Sequence, residues 1–132
     1  MNVNSICIID DDPIFVFGTK ILLNHNKDFG NDILVYENGK EALDSLSSIL
    51  RSGKELPGFI FLDLNMPIMN GWQFLDALIK LPVKRKPLIF IITSSIDQKD
   101  QEKAESYEIV KEFLVKPLSE NNLKRIFEEY KE

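Results

Sequence analysis

Five short apolar runs punctuate the chain: Ser5 to Ile9, Ile33 to Tyr36, Phe59 to Leu62, Leu88 to Ile92 and Phe113 to Val115. Phe59-Ile60-Phe61-Leu62 and Leu88-Ile89-Phe90-Ile91-Ile92 are apolar at every position rather than every second one, the pattern of strands covered by protein on both faces. The stretches between the runs repeat apolar residues at helical spacing. Strand and helix therefore alternate, which predicts an α/β fold with a parallel sheet and helices on both sides.

Local signals mark the helices. Asp12 stands as an N-cap before Pro13, a first-turn position where the missing N–H costs nothing, and Ile14, Phe17 and Ile21 then repeat on one face. Ala42, Leu43, Leu46, Ile49 and Leu50 follow the turn pair Asn38-Gly39, and Phe74, Leu75, Leu78 and Ile79 follow Asn70-Gly71, with Pro82 as the stop. Ser119 is placed to cap a last helix carrying Leu123, Ile126, Phe127 and Tyr130, after which only Lys131 and Glu132 remain. The fourth helical stretch, Asp97 to Tyr107, offers only Ala104 and Tyr107 as inward contacts, so it is either a solvated surface helix or an element free to shift. Arg51 to Gly58 and Leu81 to Pro87 are expected to be loops.

Composition narrows the classes of function. The chain of 132 residues is 44% hydrophobic and 28% charged, enough for one core, and one domain over residues 1–132 is expected. Sixteen Lys and Arg against twenty-one Asp and Glu leave a net charge of −5, with no basic footprint for direct nucleic-acid binding. No apolar run approaches the roughly eighteen residues of a membrane span, and Met1 to Ser5 lacks the start of a signal peptide, so a cytoplasmic protein without membrane partner is expected. Cys7, the single cysteine, reads as a small buried hydrophobe.

In an open parallel sheet, ligands bind beyond the carboxyl ends of the strands. Asp10, Asp11 and Asp12 follow the first strand, Asp63 the third, Thr93 and Ser94 the fourth, and Lys116 and Pro117 the fifth. Carboxylates gathered this closely repel one another unless a cation sits among them, and hard oxygen ligands suit Mg²⁺. In that arrangement Asp63 is the nucleophile that carries a phosphoryl group, Thr93 donates to one of its oxygens, and Lys116 neutralises remaining charge. A lone Asp-Asp pair is more often a turn and helix cap than a site; agreement among four strand ends favours a site.

These residues carry a family resemblance that runs the length of the chain. Ile8-Ile9-Asp10-Asp11-Asp12, the segment Leu62-Asp63-Leu64-Asn65-Met66-Pro67-Ile68-Met69-Asn70-Gly71, Ile91-Ile92-Thr93-Ser94-Ser95 and Phe113-Leu114-Val115-Lys116-Pro117-Leu118 together resemble the receiver domain of two-component response regulators, of the stand-alone, chemotaxis-regulator-like kind. The resemblance implies a doubly wound, flavodoxin-like sheet of five strands in order 2-1-3-4-5, flanked by five helices. It implies Mg²⁺ near Asp10 and Asp11, with Asp63 both ligating the metal and accepting phosphate, and with Asn65 offering its backbone carbonyl. Thr93 and Phe113 would be the switch residues that remodel the surface of the fourth helix, fifth strand and fifth helix. The implied partners are a sensor histidine kinase or histidine phosphotransfer protein and a downstream effector, with room for pairing of two copies on phosphorylation. Ser94 departs from the family's usual small apolar residue, and Asn65 and Ser95 occupy positions that tune hydrolysis there.

With no effector segment expected after the last helix, output is expected through binding, and the domain is expected to assist its own phosphorylation and dephosphorylation rather than to be an enzyme. Two other readings are a Mg²⁺-dependent phosphohydrolase with an aspartyl nucleophile, for which the chain has no cap insertion, and an unphosphorylated adaptor, which would have lost Asp63, Thr93 or Lys116. His25 reads as a surface residue, Trp72 as partly exposed near the phosphoacceptor loop, and Asp12 as a cap rather than a ligand.

Overall fold

The computed structural model describes residues 2–25 and 32–130. The elements are β1 (Asn2–Ile9), α1 (Pro13–Asn24), β2 (Asp32–Tyr36), α2 (Gly39–Arg51), β3 (Pro57–Asp63), α3 (Gly71–Leu78), β4 (Leu88–Thr93), α4 (Gln98–Glu105), β5 (Val110–Val115) and α5 (Glu120–Tyr130). The strands form one parallel sheet in the order β2-β1-β3-β4-β5, as the resemblance implied. Among the described residues, no helix is long and apolar enough to cross a membrane. Lys131 and Glu132, expected to trail the last helix, lie outside them.

Because side chains alternate across a strand, each interior strand feeds two cores. Cys7, Ile9, Ile60, Leu62, Ile89 and Ile91 point to one face, where Ala42 and Leu46 of α2, Phe74, Leu75 and Leu78 of α3 and Ala104 of α4 cover them. Ile6, Ile8, Phe59, Phe61, Phe90 and Ile92 point to the other, against Phe15 and Leu23 of α1 and Leu123, Ile126 and Phe127 of α5. All seven residues of β3 are buried, consistent with its central place.

The caps follow their sequence signals. Asp12 accepts from the backbone N–H of Ile14 and Phe15 at 3.0 and 3.3 Å, and Asn38 from that of Glu41 at 2.9 Å. Asn70 and Gln73 form a reciprocal capping box at 2.9 Å each way, and Ser119 Oγ accepts from the Asn122 N–H at 3.0 Å.

Two features differ from expectation. Ile14, Phe17 and Ile21 share a face of α1, but that face is the outer one: Ile14 is 83% and Phe17 67% exposed, while Phe15, Thr19 and Leu23 turn inward. The helix is apolar around most of its circumference, so periodicity alone does not choose the buried side. The strands are also longer than their apolar runs. Edge strand β5 includes Lys111 and Glu112, which break its apolar pattern because its burial is only partial.

Candidate functional site

Strand order reverses between β1 and β3, and the crevice there lies at the carboxyl ends of both strands. β1 delivers Asp10 and β3 delivers Asp63, each buried to better than nine-tenths, while Asp11 is exposed. Carboxylate oxygens of the three acids lie within 4.8 Å of one another. From the end of β5, Lys116 reaches over: its Nζ is 2.8 Å from Asp10 Oδ2, 3.8 Å from Asp12 Oδ2 and 4.0 Å from Asp63 Oδ1. A backbone bond of 2.7 Å from Lys116 N–H to the Thr93 carbonyl holds the ends of β5 and β4 together. The Lys116 ammonium also lies 4.8 Å from the Phe15 ring centroid, which fixes its stem against α1.

Four carboxylates face one ammonium here, and the electrostatics reflect that imbalance. Burial, then the charges of Asp10 and Asp11, push Asp63 up to about 6, against the opposing pull of Lys116. Burial raises Asp10 as well, although Lys116 and the Asp12 backbone N–H, 2.9 Å from Asp10 Oδ1, work the other way. Asp10 Oδ2 is buried, and its partner among the described residues is the Lys116 ammonium at 2.8 Å. Three converging carboxylates and excess negative charge are what a hard divalent cation satisfies, so these residues fit Mg²⁺.

The loop carrying the remaining motif is fixed by two close approaches. Gly71 packs so tightly that a Cβ there would lie 2.6 Å from the Asp63 carbonyl oxygen, and its N–H bonds the Leu64 carbonyl at 2.9 Å. At Gly39 a Cβ would meet the Met69 carbonyl oxygen at 2.8 Å. Between them the chain runs past exposed Asn65 to Ile68, which takes φ of 69° and is 80% exposed, an unusual state for a β-branched residue.

Thr93 ends β4, buried. Its hydroxyl donates to the Ser95 carbonyl at 2.9 Å, so it is engaged with the β4–α4 loop. Phe113 pairs in register with Ile91 and is half-buried, lining a groove of about 320 Å³ between α4 and β5 with Gln101, Ala104 and Glu105. The structure thus brings Asp10, Asp11, Asp63 and Lys116 together, places Asn65 on the adjoining loop and Thr93 on the neighbouring strand end, and sets Phe113 outside this cluster on β5. His25 is exposed at the end of α1. Sequence reading missed the exposure of several apolar residues near the site: Ile14 of α1, Val115 of β5, and Ile68 and Ile96 in loops, each a few positions from a site residue. Their nearness to the acidic motifs was the available signal.

A family model described as response regulator receiver domain matches residues 6–128. This chain therefore belongs to the response regulator receiver family. A two-component response regulator from Cytophaga hutchinsonii is 30% identical, with a TM-score of 0.85 covering 98% of this chain and 97% of that one. Another from Legionella pneumophila is 26% identical with a TM-score of 0.80, covering 95% of each chain. The probable methanogenesis regulatory protein FilR2 of Methanothrix harundinacea is 36% identical over 94 residues, 71% of this chain but 60% of that protein. The match thus spans less than two thirds of that relative's length.

Proposed function

We propose that Asp63 accepts a phosphoryl group from a phosphohistidine in a two-component relay, and that this switches a protein-binding surface. The observation carrying the reading is the grouping of buried Asp63 with Asp10, Asp11 and Lys116 at the point where strand order reverses. A carboxylate oxygen of Asp63 attacks the phosphorus; the P–O bond forms as the P–N bond breaks, and the imidazole nitrogen keeps the electron pair. Asp10, Asp11, Asp63 and the Asn65 carbonyl would hold Mg²⁺, which when bound offsets the charge of the phosphoryl oxygens. Lys116 supplies a fixed positive charge beside the new acyl phosphate, and Thr93 donates to another of its oxygens after leaving the Ser95 carbonyl. The same groups orient a water for the later hydrolysis, so the domain assists both its phosphorylation and its dephosphorylation.

The donor is a sensor histidine kinase or phosphotransfer protein in the cytoplasm, docking on the exposed apolar residues Ile14 and Phe17 of α1 and Ile68 of the loop after β3. Once Thr93 has moved, Phe113 turns inward and the surface of α4, β5 and α5 changes for an effector or a second copy. The test is chemical trapping. After acetyl phosphate and Mg²⁺, borohydride reduction should convert Asp63 to homoserine in the peptide map. Conversion at another carboxylate overturns the assignment.

A further inference from the structure

Helix α4 is the least anchored element of the sheet's cover: of its eight residues only Ala104 is buried. Its two ends differ. The first turn is capped by its own Asp97, which accepts from Lys99 N–H at 2.8 Å, and Asp97, Gln98 and Lys99 are exposed. The far end is held by a cluster on α3. The Trp72 and Tyr107 rings stack with centroids 5.7 Å apart, and the Lys103 ammonium lies 4.7 Å from the Trp72 centroid. The Tyr107 hydroxyl donates to Asp76 Oδ1 at 2.7 Å, and burial followed by Asp76 pushes that phenol up to about 12, so the donor keeps its proton across the working range. Tyr107 also joins the backbone on both sides, donating to the Ala104 carbonyl at 3.1 Å and accepting from Val110 N–H, the start of β5, at 3.0 Å.

The phosphoacceptor site reaches α4 from the opposite end. Thr93 holds the Ser95 carbonyl, two residues before Asp97, and moving that hydroxyl frees the loop that leads into the first turn. We infer that Trp72, Lys103, Tyr107 and Asp76 form a hinge about which α4 turns when Asp63 is phosphorylated, its first turn swinging while its last stays fixed to α3. This rests on the phosphoacceptor reading above. It differs from a sliding or melting of the whole helix, because it makes α3 a stationary support and gives the motion a direction.

Hydrogen exchange of the whole protein, read by peptide mass spectrometry with and without acetyl phosphate and Mg²⁺, tests it, with intact mass recorded on the same samples. Amides of 94–101 should change exchange rate by about tenfold or more on phosphorylation, while those of 71–76 and 104–108 hold theirs. Trp72, the single tryptophan, should keep its emission maximum. In Tyr107→Phe, and in Asp76→Ala at an exposed position, residues 104–108 and the Trp72 emission should respond to phosphorylation too. The hinge is overturned if 104–108 and Trp72 respond in the parent as strongly as 94–101, if neither segment responds in protein bearing the adduct, or if both variants behave as the parent. Absence of an adduct overturns the phosphoacceptor reading itself, and the hinge falls with it.

Discussion

Raising the pH of metal-free protein ionises Asp63 inside a cluster that already holds too much negative charge, and the fold should weaken as that happens. The ordinary carboxyl value is 3.8, and burial with Asp10 and Asp11 nearby brings Asp63 to about 6. Between those values the folded chain keeps a proton that the unfolded chain has released, so stability falls with rising pH and levels off once the folded carboxyl is ionised. Two pKa units correspond to about 3 kcal/mol, of which about 1.4 kcal/mol is lost between about pH 5 and about pH 7.5. For a domain of this size that lowers Tm by about 4–7 °C, and the same-signed shift of Asp10 adds to it. Glu112 is shifted down by its hydrogen bond to Arg125, so its own window lies below 4.5 and leaves this range flat. Thermal melts in EDTA should show the decline, Asp63→Asn should flatten it, and Mg²⁺ should restore much of the loss at the upper pH by binding the ionised cluster. A decline of equal size in Asp63→Asn, or a Tm that rises across the range in the parent, would refute the electrostatic reasoning.

Three substitutions probe the architecture around the site. Lys116→Met removes the ammonium 2.8 Å from buried Asp10 and should cost about 3 kcal/mol in urea unfolding under EDTA; a loss below about 1 kcal/mol would mean the pair is not holding that charge. Gly71→Ala places a methyl 2.6 Å from the Asp63 carbonyl oxygen and should destabilise by about 2 kcal/mol while slowing phosphorylation by acetyl phosphate, whereas unchanged stability would contradict the close approach. Ile68→Gly relieves a β-branched residue at φ of 69° and should raise the urea midpoint by the equivalent of about 1 kcal/mol; a lower midpoint would show that no strain is stored there.

The interior of the fold was legible because parallel strands buried on both faces carry unbroken apolar runs, as β3 does from Phe59 to Leu62 and β4 from Leu88 to Ile92. The capping residues Asp12 and Ser119 were legible for a similar reason: few residue types satisfy a helix start. The gathering of Asp10, Asp11 and Asp63 was legible because the topology brings the ends of neighbouring strands to one crevice, a rule that needs only the strand boundaries. α1 was not legible in the same way. Phe15, Val16 and Phe17 are consecutive and apolar, so the buried side depends on which of them meets Ile6, Ile8 and Leu123 in three dimensions. The α3–α4 cluster was equally hidden, since Asp76 and Tyr107 are thirty-one positions apart and neither stands in a motif.

The most direct test of the central claim is intact mass after incubation with acetyl phosphate and Mg²⁺, beside an EDTA control and Asp63→Asn. A single added phosphoryl group of about 80 Da, dependent on Mg²⁺ and lost in the variant, is the expected result. An adduct of the same yield in Asp63→Asn would contradict the account.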